Sequence, residues 1–356
     1  MDKEMLDFYT DFLLSSFGQA SATNLSRLSD GTISHDRVTR FLNAEEQTSA
    51  ALWREVKPLV RQVEDEHGVL IVDDSIADKS YTDENDLIAW HYDHAKGRNV
   101  KGINFLTAMY HVPHAALPVA FDLVTKTVPY IDKKTGKQKR KSALTKNERF
   151  RLLLHVCHHN QLQFKYVLAD AWYASADNMR FVKLTIEKEF IFPLKENRKV
   201  SLSQTARQAG QFQPVNTLDV PEGTTCEVWL EEVPCALRLA RQVFTNDDGS
   251  EGVRYLVSSD LTLDWTQITE TYHRRWSIEP YHKSLKQNAG LEKSPTRRER
   301  TQRNHLFASL CAYIKLERLR LATQLNHFAL KSKIYLAALK AAHTEFVKLK
   351  EQLAPA

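Results

Sequence analysis

Residues 268–290 read ITETYHRRWSIEPYHKSLKQNAG, and this stretch combines one acid with basic and aromatic residues at helical spacing. The helical period predicts one polar face and, opposite it, an apolar stripe that packs on a core. The polar face carries a phenol, a guanidinium, a carboxylate and an ammonium, a set that suits a metal ion beside a phosphodiester. It consists of Tyr272, Arg275, Glu279 and Lys286, and the apolar stripe of Ile278, Tyr281, Leu285 and Ala289.

The simpler interpretation of the polar face is a solvated helix surface with an ion pair between Arg275 and Glu279, four residues apart. Pro280 follows Glu279 directly. A proline inside a helix costs about 3 kcal/mol and usually kinks it. We therefore expect either a bend or the start of a new helix there, and either would move Lys286 off the ideal face.

Two short apolar runs end on acids, as strands buried on both faces of a sheet do. Residues 68–72 are followed by Asp73 and Asp74, and residues 166–169 are followed by Asp170. A helix over residues 176–189 and a third strand over residues 190–194 follow. This order of strand, helix and strand predicts an α/β sheet with parallel neighbours.

Because ligand sites in open α/β sheets gather at the carboxyl ends of strands, we expect the strand-end aspartates to lie close together. Like charges at that distance are tolerated when cations lie between them. Carboxylate oxygens without patterned Cys or His favour Mg²⁺ or Mn²⁺, and two such ions support in-line phosphoryl transfer. The alternative is that these acids only cap turns. The cluster His155, His158 and His159 has no second ligand group at a spacing typical of zinc sites.

At this point the chain resembles a family, the DDE-class bacterial insertion-sequence transposases with an RNase H-like core, in the branch with a Tyr-Arg-Glu-Lys signature. The resemblance covers roughly residues 68–321 and rests on the spaced signature together with RRWSIEPYHKSLKQ, IVDDS and VLADAWY. It implies a metal triad of Asp74, Asp170 and Glu279, two Mg²⁺ ions, and cut-and-paste excision through a DNA hairpin. Asp74 is chosen over Asp73 because the family's aspartate is usually followed by Ser or Thr. Neighbouring strand residues face opposite sides, so only one of the two reaches the metals. Pro280 departs from the family's pattern.

Further basic and aromatic residues are candidates for DNA binding. Residues 24–43 predict a helix-turn-helix whose second helix is capped by Ser34, and residues 133–141 (KKTGKQKRK) predict a phosphate-binding finger. A flipped base usually rests on an aromatic ring, and Trp229 is the candidate. The alternatives are helix packing for residues 24–43, a solvated loop for residues 133–141, and core burial for Trp229. With Tyr272, Arg275 and Lys286, the predicted DNA-binding residues are Arg37, Arg40, Lys133, Lys134, Lys137, Lys139, Arg140, Lys141, Arg297, Arg298 and Trp229.

Composition is compatible with a protein that acts on nucleic acid. The chain has 356 residues and a net charge of +5, which permits a nucleic-acid partner without requiring one. The four cysteines are scattered, no apolar run approaches 18 residues, and the start MDKEMLDFY does not resemble a signal peptide. We therefore expect a cytoplasmic protein that binds no membrane, and the family resemblance implies a bacterial, nucleoid-associated one.

The predicted fold is α/β, an RNase H-like mixed sheet flanked by helices. The predicted function is metal-dependent cleavage at transposon ends followed by strand transfer, with double-stranded terminal repeats and target DNA as partners and a homodimer in the synaptic complex. The alternatives are an RNase H-like nuclease without strand transfer and a domesticated DNA-binding protein, which would have lost the acids. The predicted segments are a helical DNA-binding domain at 1–66, the first part of the catalytic core at 67–198, a β-rich insertion at 199–264, the last part of the core at 265–325, and a helical tail at 326–356.

Overall fold

The computed structural model describes residues 1–94, 96–245 and 248–353. The helices are α1 Lys3–Ser15, α2 Ala22–Leu28, α3 His35–Leu42, α4 Ser49–Val63, α5 Lys146–His159, α6 Ala176–Arg180, α7 Gln204–Gln208, α8 Trp265–His273, α9 Ile278–Gln287, α10 Glu299–Thr323 and α11 His327–Leu353. The strands are β1 Val69–Asp78, β2 Ile88–Asp93, β3 Arg98–Val112, β4 Ala115–Leu123, β5 Val128–Ile131, β6 Gln138–Lys141, β7 Tyr166–Leu168, β8 Glu189–Leu194, β9 Lys199–Val200, β10 Gln213–Pro214, β11 Thr225–Val228, β12 Leu237–Thr245 and β13 Glu251–Ser258.

The chain forms two compact units. The first contains residues 1–56, 76–103 and 280–356, and the second contains residues 57–75 and 104–279. The boundaries between them fall inside α4, β1, β3 and α9. The predicted five-part division of the chain stays a prediction.

The second unit is built on a mixed sheet with the strand order β11-β12-β13-β8-β7-β1-β3, and β4 pairs with β3. The pairs β1–β7 and β7–β8 are parallel, as predicted from the order of strands and helices. Strands β8, β13, β12 and β11 continue the sheet with antiparallel pairs. Helix α5 packs on β4, and α8 packs on β8, β12 and β13. The protein is thus of the predicted class, an RNase H-like α/β fold with a mixed sheet and flanking helices.

The predicted strands are present, and two boundaries differ. Strand β1 does not end before the acids but continues through Asp73 and Asp74 to Asp78, because it lies between β7 and β3 in the sheet and its later part also buries apolar residues, Ile76 and Ala77. The helix predicted over residues 176–189 ends early. Helix α6 is five residues long and passes into a π-helical turn, Phe181–Thr185, before β8 begins.

The segment between β8 and α8 is rich in β structure, as predicted, and it extends the main sheet. Strand β13 pairs with β8 over four residues, and β12 pairs with β13 over eight. The sequence NDDG at residues 246–249 predicts a hairpin turn. That turn lies partly outside the described residues, because Asn246 and Asp247 are not described.

The helical first unit is centred on α10, whose residues are almost all buried from Thr301 to Leu316. The Asn304 side-chain amide donates to the backbone carbonyl of Leu42 at 3.0 Å, and its Oδ1 accepts from the Gln47 backbone N–H at 3.1 Å. These bonds tie the segment that follows α3 to α10. Among the described residues, no helix is long and apolar enough to cross a membrane.

Residues 268–290 do not form one continuous helix. Helix α8 ends at His273, a 3₁₀ turn covers Arg274–Ser277, and α9 starts at Ile278. Of the two outcomes expected from Pro280, the structure has the new helix. A proline in the first turn removes only an N–H that has no partner within the helix, so α9 tolerates it. The single helical face predicted for the four signature residues is therefore wrong.

Candidate active site

Asp73 and Asp170 follow the apolar parts of two adjacent parallel strands. The last paired residues of these strands are Ile71 and Leu168, and each aspartate follows two residues later in its own chain segment. Burial raises the pKa of Asp73 to about 7, and the charges of Asp170 and Asp74 add to the rise. Burial also raises the pKa of Asp170, with a further contribution from the charge of Asp74. The strand ends thus gather negative charge in a partly dehydrated place.

Asp74 differs from Asp73 because both of its carboxylate oxygens accept hydrogen bonds from side chains. Tyr173 donates its hydroxyl to Oδ1 at 2.7 Å, while Asn104 and Lys146 donate to Oδ2, each at 2.7 Å. Burial opposes ionisation, but the Lys146 charge and these hydrogen bonds outweigh it and hold the pKa of Asp74 below its usual value. Asp73 is described with one donor, the backbone N–H of Asp74 at 2.8 Å.

The turn after β7 holds Asp170 in place. The backbone N–H of Trp172 donates to Oδ1 of Asp170 at 2.9 Å, and the Tyr272 hydroxyl donates to the carbonyl oxygen of Ala169 at 3.3 Å. Tyr272 is only 3% exposed. The side chain predicted to bind a phosphate is therefore directed at the backbone beside Asp170, and its contact with DNA stays a prediction.

Arg275 connects Glu279 to the aspartates electrostatically. Its NH2 group lies 3.7 Å from Oε1 of Glu279, and its positive charge favours the ionised forms of Asp73 and Asp170. The guanidinium also stands over the ring of Tyr272, 5.8 Å from the centroid. The Glu279 side chain is 54% exposed, whereas that of Arg275 is 13% exposed. The i,i+4 pair expected from the sequence is thus present and belongs to the acid cluster.

The donor chemistry of this cluster fits a hard divalent cation. The raised pKa values of Asp73 and Asp170 show carboxylates whose mutual repulsion a cation would relieve, and oxygen donors suit Mg²⁺ or Mn²⁺. Within residues 1–94, 96–245 and 248–353, the structure has no ready-made group of three or more acidic, His or Cys side chains around one metal position.

The remaining predicted DNA-binding residues lie at other places in the chain. The helix-turn-helix elements are present as α2 and α3, with Ser34 capping α3 through its Oγ atom. The basic run 133–141 forms the turn and second strand of an exposed hairpin, β5–β6. Five of the predicted DNA-binding residues lie in the first unit, namely Arg37, Arg40, Lys286, Arg297 and Arg298. All of them except Lys286 are exposed.

Several of the predicted residues already have partners, and Arg37 lies 3.6 Å from Asp2. Lys139 forms a 2.7 Å ion pair with Asp132, and Lys286 lies 3.9 Å from Glu292 within the first unit. Trp229 is half-buried, and its backbone forms a bridge with Ser201. The sequence interpretation missed the three partners of Asp74. Of these partners, only Tyr173 lies close in sequence to a predicted acid, three residues after Asp170. Asn104 and Lys146 belong to distant segments of the chain.

Comparison with known families agrees with this geometry. Residues 2–218 match the family described as DDE superfamily endonuclease, and residues 138–315 match the transposase DDE domain. The chain therefore belongs to the DDE superfamily of endonucleases and transposases. No curated protein matches it. These matches agree with the family resemblance that the sequence indicates, whereas membership of the Tyr-Arg-Glu-Lys branch stays a prediction.

Proposed function

We propose that this protein is a DNA transposase that cuts at the ends of its own mobile element and transfers the freed strand to a target. The observation that carries the proposal is the dehydrated pair Asp73, within β1, and Asp170, just after the adjacent strand β7, with the Arg275–Glu279 pair beside it. Acids so placed on a DDE-family fold suit hydrolysis of a phosphodiester. In that reaction water attacks phosphorus, the 3′ oxygen leaves, and the resulting 3′-hydroxyl can attack a second phosphate.

Two divalent ions, Mg²⁺ or Mn²⁺ in its place, would be held by the strand-end aspartates and Glu279. When bound, such ions lower the pKa of an attacking water and neutralise charge at the phosphate. The chain's own residues do the rest. Arg275 neutralises charge between the acids, and Tyr272 acts as a positioning residue that holds the backbone next to Asp170. Lys286, Arg297 and Arg298 remain candidate phosphate contacts.

For the first metal ligand, the geometry favours Asp73 over Asp74. The Asp74 carboxylate is neutralised by Lys146 and bonded to Asn104 and Tyr173, so binding a metal would displace donors. The Asp73 carboxylate has few donors, and the charge of Asp170 acts on it. On this proposal Asp74 is the centre of a network that holds the middle of β1 in place.

A homodimer is supported by the C-terminal helix α11. Tyr335, Leu339, Phe346 and Leu349 are each more than half exposed, and their spacing of four, seven and three residues puts them on one face. In a parallel pair of such helices, Glu345 of one copy would face Lys350 of the other, the charge pairing typical of coiled coils. A second copy of the chain is therefore the partner that we propose for this face.

The test is cleavage of a DNA substrate that carries the ends of the protein's own element, with Mg²⁺ and with excess EDTA. Asp73→Asn, Asp170→Asn and Glu279→Gln should each abolish cleavage, while Asp74→Asn should lower the rate about 10- to 100-fold, the usual effect of a lost supporting contact. Asp219→Asn, at an exposed acid in the same unit, is the matched control.

Three outcomes would change the proposed site, the metal mechanism or the proposed strand transfer. Cleavage that survives Asp73→Asn but not Asp74→Asn would return the metal to Asp74. Full activity in EDTA would contradict the metal mechanism. Cleaved ends without any joined product would identify a nuclease that lacks strand transfer. Excision through a hairpin predicts closed ends on the excised DNA, which a denaturing gel detects.

A further inference from the structure

Tyr173 contacts two of the three aspartates of the candidate site. Its hydroxyl donates to Oδ1 of Asp74 at 2.7 Å, and its backbone N–H donates to the carbonyl oxygen of Asp170 at 3.2 Å. The ring is buried and stacks on Phe150 of α5, with the two ring centroids 5.3 Å apart. The position of Tyr173 therefore affects where both of these carboxylates lie.

The side chain of Asn178 holds the backbone of Tyr173. Its amide donates to the carbonyl oxygen of Tyr173 at 3.0 Å and to Oδ1 of Asn147 at 2.8 Å. Its Oδ1 accepts from the guanidinium of Arg151 at 2.8 Å. The side chain is 0% exposed, and both amide hydrogens and the oxygen have partners. A rotated amide would place its oxygen against the Tyr173 carbonyl oxygen, so these contacts fix the direction of the amide.

Helix α5 provides the support to which this amide is fastened. Asn147 and Arg151 are four residues apart, so they lie on one face of the helix, and both contact Asn178. The first residue of the same helix is Lys146, whose ammonium bonds to Asp74. The amide therefore connects the turn after β7 to the helix that neutralises Asp74.

Helix α6, which carries Asn178 as its third residue, has little stability of its own. It is five residues long and passes directly into the π-helical turn Phe181–Thr185, and helices of this length are marginal without tertiary contacts. Side-chain contacts must therefore hold this segment in place. Those of Asn178 lead both to α5 and back to Tyr173.

We propose that Asn178 is a positioning residue for the metal site: through Tyr173 it fixes the backbone that carries Asp170 and the hydroxyl that bonds to Asp74. The inference rests on the proposed function, because it takes Asp170 as a metal ligand. Mg²⁺ requires oxygen ligands close to octahedral positions, so a small displacement of one carboxylate weakens its binding. Asn178 itself contacts neither metal nor DNA on this proposal.

The test measures binding of Mn²⁺ alone to the free protein, from the electron paramagnetic resonance signal of the unbound ion. Asn178→Ala should weaken Mn²⁺ binding about 10- to 100-fold, the usual effect of removing a group that holds a metal ligand in place. Asn178→Ser leaves a smaller void and should have the same effect, because its hydroxyl is too short to reach the Tyr173 carbonyl oxygen. Asn147→Ala removes another partner of the amide but leaves the bond to Tyr173, and should keep the affinity close to that of wild type.

The matched control for lost stability is Ser259→Ala. Ser259 is also buried, and its hydroxyl donates to Oε2 of Glu189 at 2.6 Å and accepts from the backbone N–H of Phe190 at 3.0 Å. Glu189 pairs with Tyr166, the first residue of β7, so this contact lies at the opposite end of that strand from Asp170. The control should lower the free energy of unfolding and leave Mn²⁺ binding unchanged.

A double variant tests whether Asn178 acts through Tyr173. Tyr173→Phe removes the hydroxyl that bonds to Asp74, and its effect on the free energy of Mn²⁺ binding should add less than fully to that of Asn178→Ala, because both changes act on the same residue. Strictly additive effects would overturn the proposed route. Mn²⁺ binding equal to that of wild type in either folded Asn178 variant would overturn the inference as a whole.

Asp170→Asn in the same measurement separates this inference from the proposed function. Mn²⁺ binding that is lost in Asp170→Asn but kept in Asn178→Ala rejects the positioning role and leaves the proposed function standing. Mn²⁺ binding that Asp170→Asn does not change would contradict the metal site itself, and the inference with it. In the cleavage assay, Asn178→Ala should need about 10- to 100-fold more Mg²⁺ than wild type for its half-maximal rate.

Discussion

The Nζ atom of Lys146, at the first residue of α5, lies 2.7 Å from Oδ2 of Asp74 in β1. Both side chains are mostly buried, with 27% and 17% exposed. The ammonium therefore neutralises one of the three aspartates at the strand ends. The other two are Asp73 and Asp170. Among the described residues, no cationic side chain forms a hydrogen bond with either of them.

Removal of the Lys146 charge should destabilise the fold. We expect Lys146→Met to lower the free energy of unfolding by about 1.5–3 kcal/mol, because a buried carboxylate loses a charged hydrogen-bond donor. In the double variant with Asp74→Asn, part of that loss should return. Urea unfolding of the four proteins measures the coupling, and strictly additive effects would contradict a direct Lys146–Asp74 interaction. The matched control is Lys183→Met, because Lys183 forms a lysine–carboxylate pair with Glu189 at the same distance, 2.7 Å.

A buried histidine should make the protein less stable in acid. Nε2 of His305 lies 3.0 Å from the Gly290 carbonyl oxygen and Nδ1 lies 2.9 Å from the Tyr9 hydroxyl. Since a carbonyl can only accept, Nε2 carries the hydrogen and Nδ1 accepts from Tyr9. Burial lowers the pKa of His305 from 6.5 to about 4.

The sign of the effect follows from proton uptake. Between pH 6.5 and 4 the unfolded chain binds a proton at His305 that the folded protein does not, so the contribution of His305 to stability falls as the pH falls, by about 3 kcal/mol over the range. His305→Gln should flatten this part of the stability profile, while the exposed His159→Gln should leave it unchanged. Thermal or urea unfolding of wild type and His305→Gln at several pH values checks it, and a stability difference between the two proteins that is constant from pH 6.5 to 4 would contradict it.

The exposed β5–β6 hairpin should contribute phosphate contacts. Neutralising Lys133, Lys134 and Lys137 together should lower the slope of log K against log[salt] by up to about 2.7, from about 0.9 for each lost contact. Lys139 is left in place because it forms an ion pair with Asp132 that closes the turn. The three Lys→Arg changes at the same positions are the control and should keep the slope. An unchanged slope after neutralisation would make the hairpin a solvated loop.

The second helix of the helix-turn-helix should read bases if Arg37 and Arg40 enter the major groove. A bidentate arginine–guanine contact discriminates by about 1–3 kcal/mol. Both side chains are exposed, and Arg37 lies 3.6 Å from Asp2. Binding-site selection with Arg37→Ala and Arg40→Ala should show relaxed preference at one or two positions. Uniformly weaker binding would instead indicate phosphate contacts, and no change would assign residues 1–66 to packing or assembly.

The exposed face of α11 should hold two copies together. Leu339→Glu with Phe346→Glu should shift the protein to a monomer in sedimentation experiments, because charges would be buried in the paired helices. Lys340→Glu, one residue along from that face and also exposed, should leave the oligomeric state unchanged. A wild-type protein that is monomeric at micromolar concentration, both free and on DNA, would contradict the proposed dimer.

The sequence by itself determined the class of fold and the family. Apolar runs that end on acids are local patterns, and so is the alternation of strands with helices that predicts parallel pairing. The spacing of the residues from Tyr272 to Lys286 is a local pattern as well. So are the turn residues that separate short strands in the β-rich segment 199–264. The strands and the β-rich segment confirm such predictions, because hydrophobic periodicity and turn chemistry act over a few residues at a time, whereas the single helical face predicted for Tyr272 to Lys286 was wrong.

Only the tertiary structure decided which of the aspartates is already neutralised by a neighbouring lysine. Lys146 lies 72 residues from Asp74 and Asn104 lies 30 residues away, and nothing in the local sequence indicates those contacts. The same holds for Tyr272, whose hydroxyl bonds to the backbone of Ala169, and for the strands of the insertion, which extend the main sheet through β13. The direction of a side chain, and hence its charge state and exposure, depends on neighbours brought together by the whole fold.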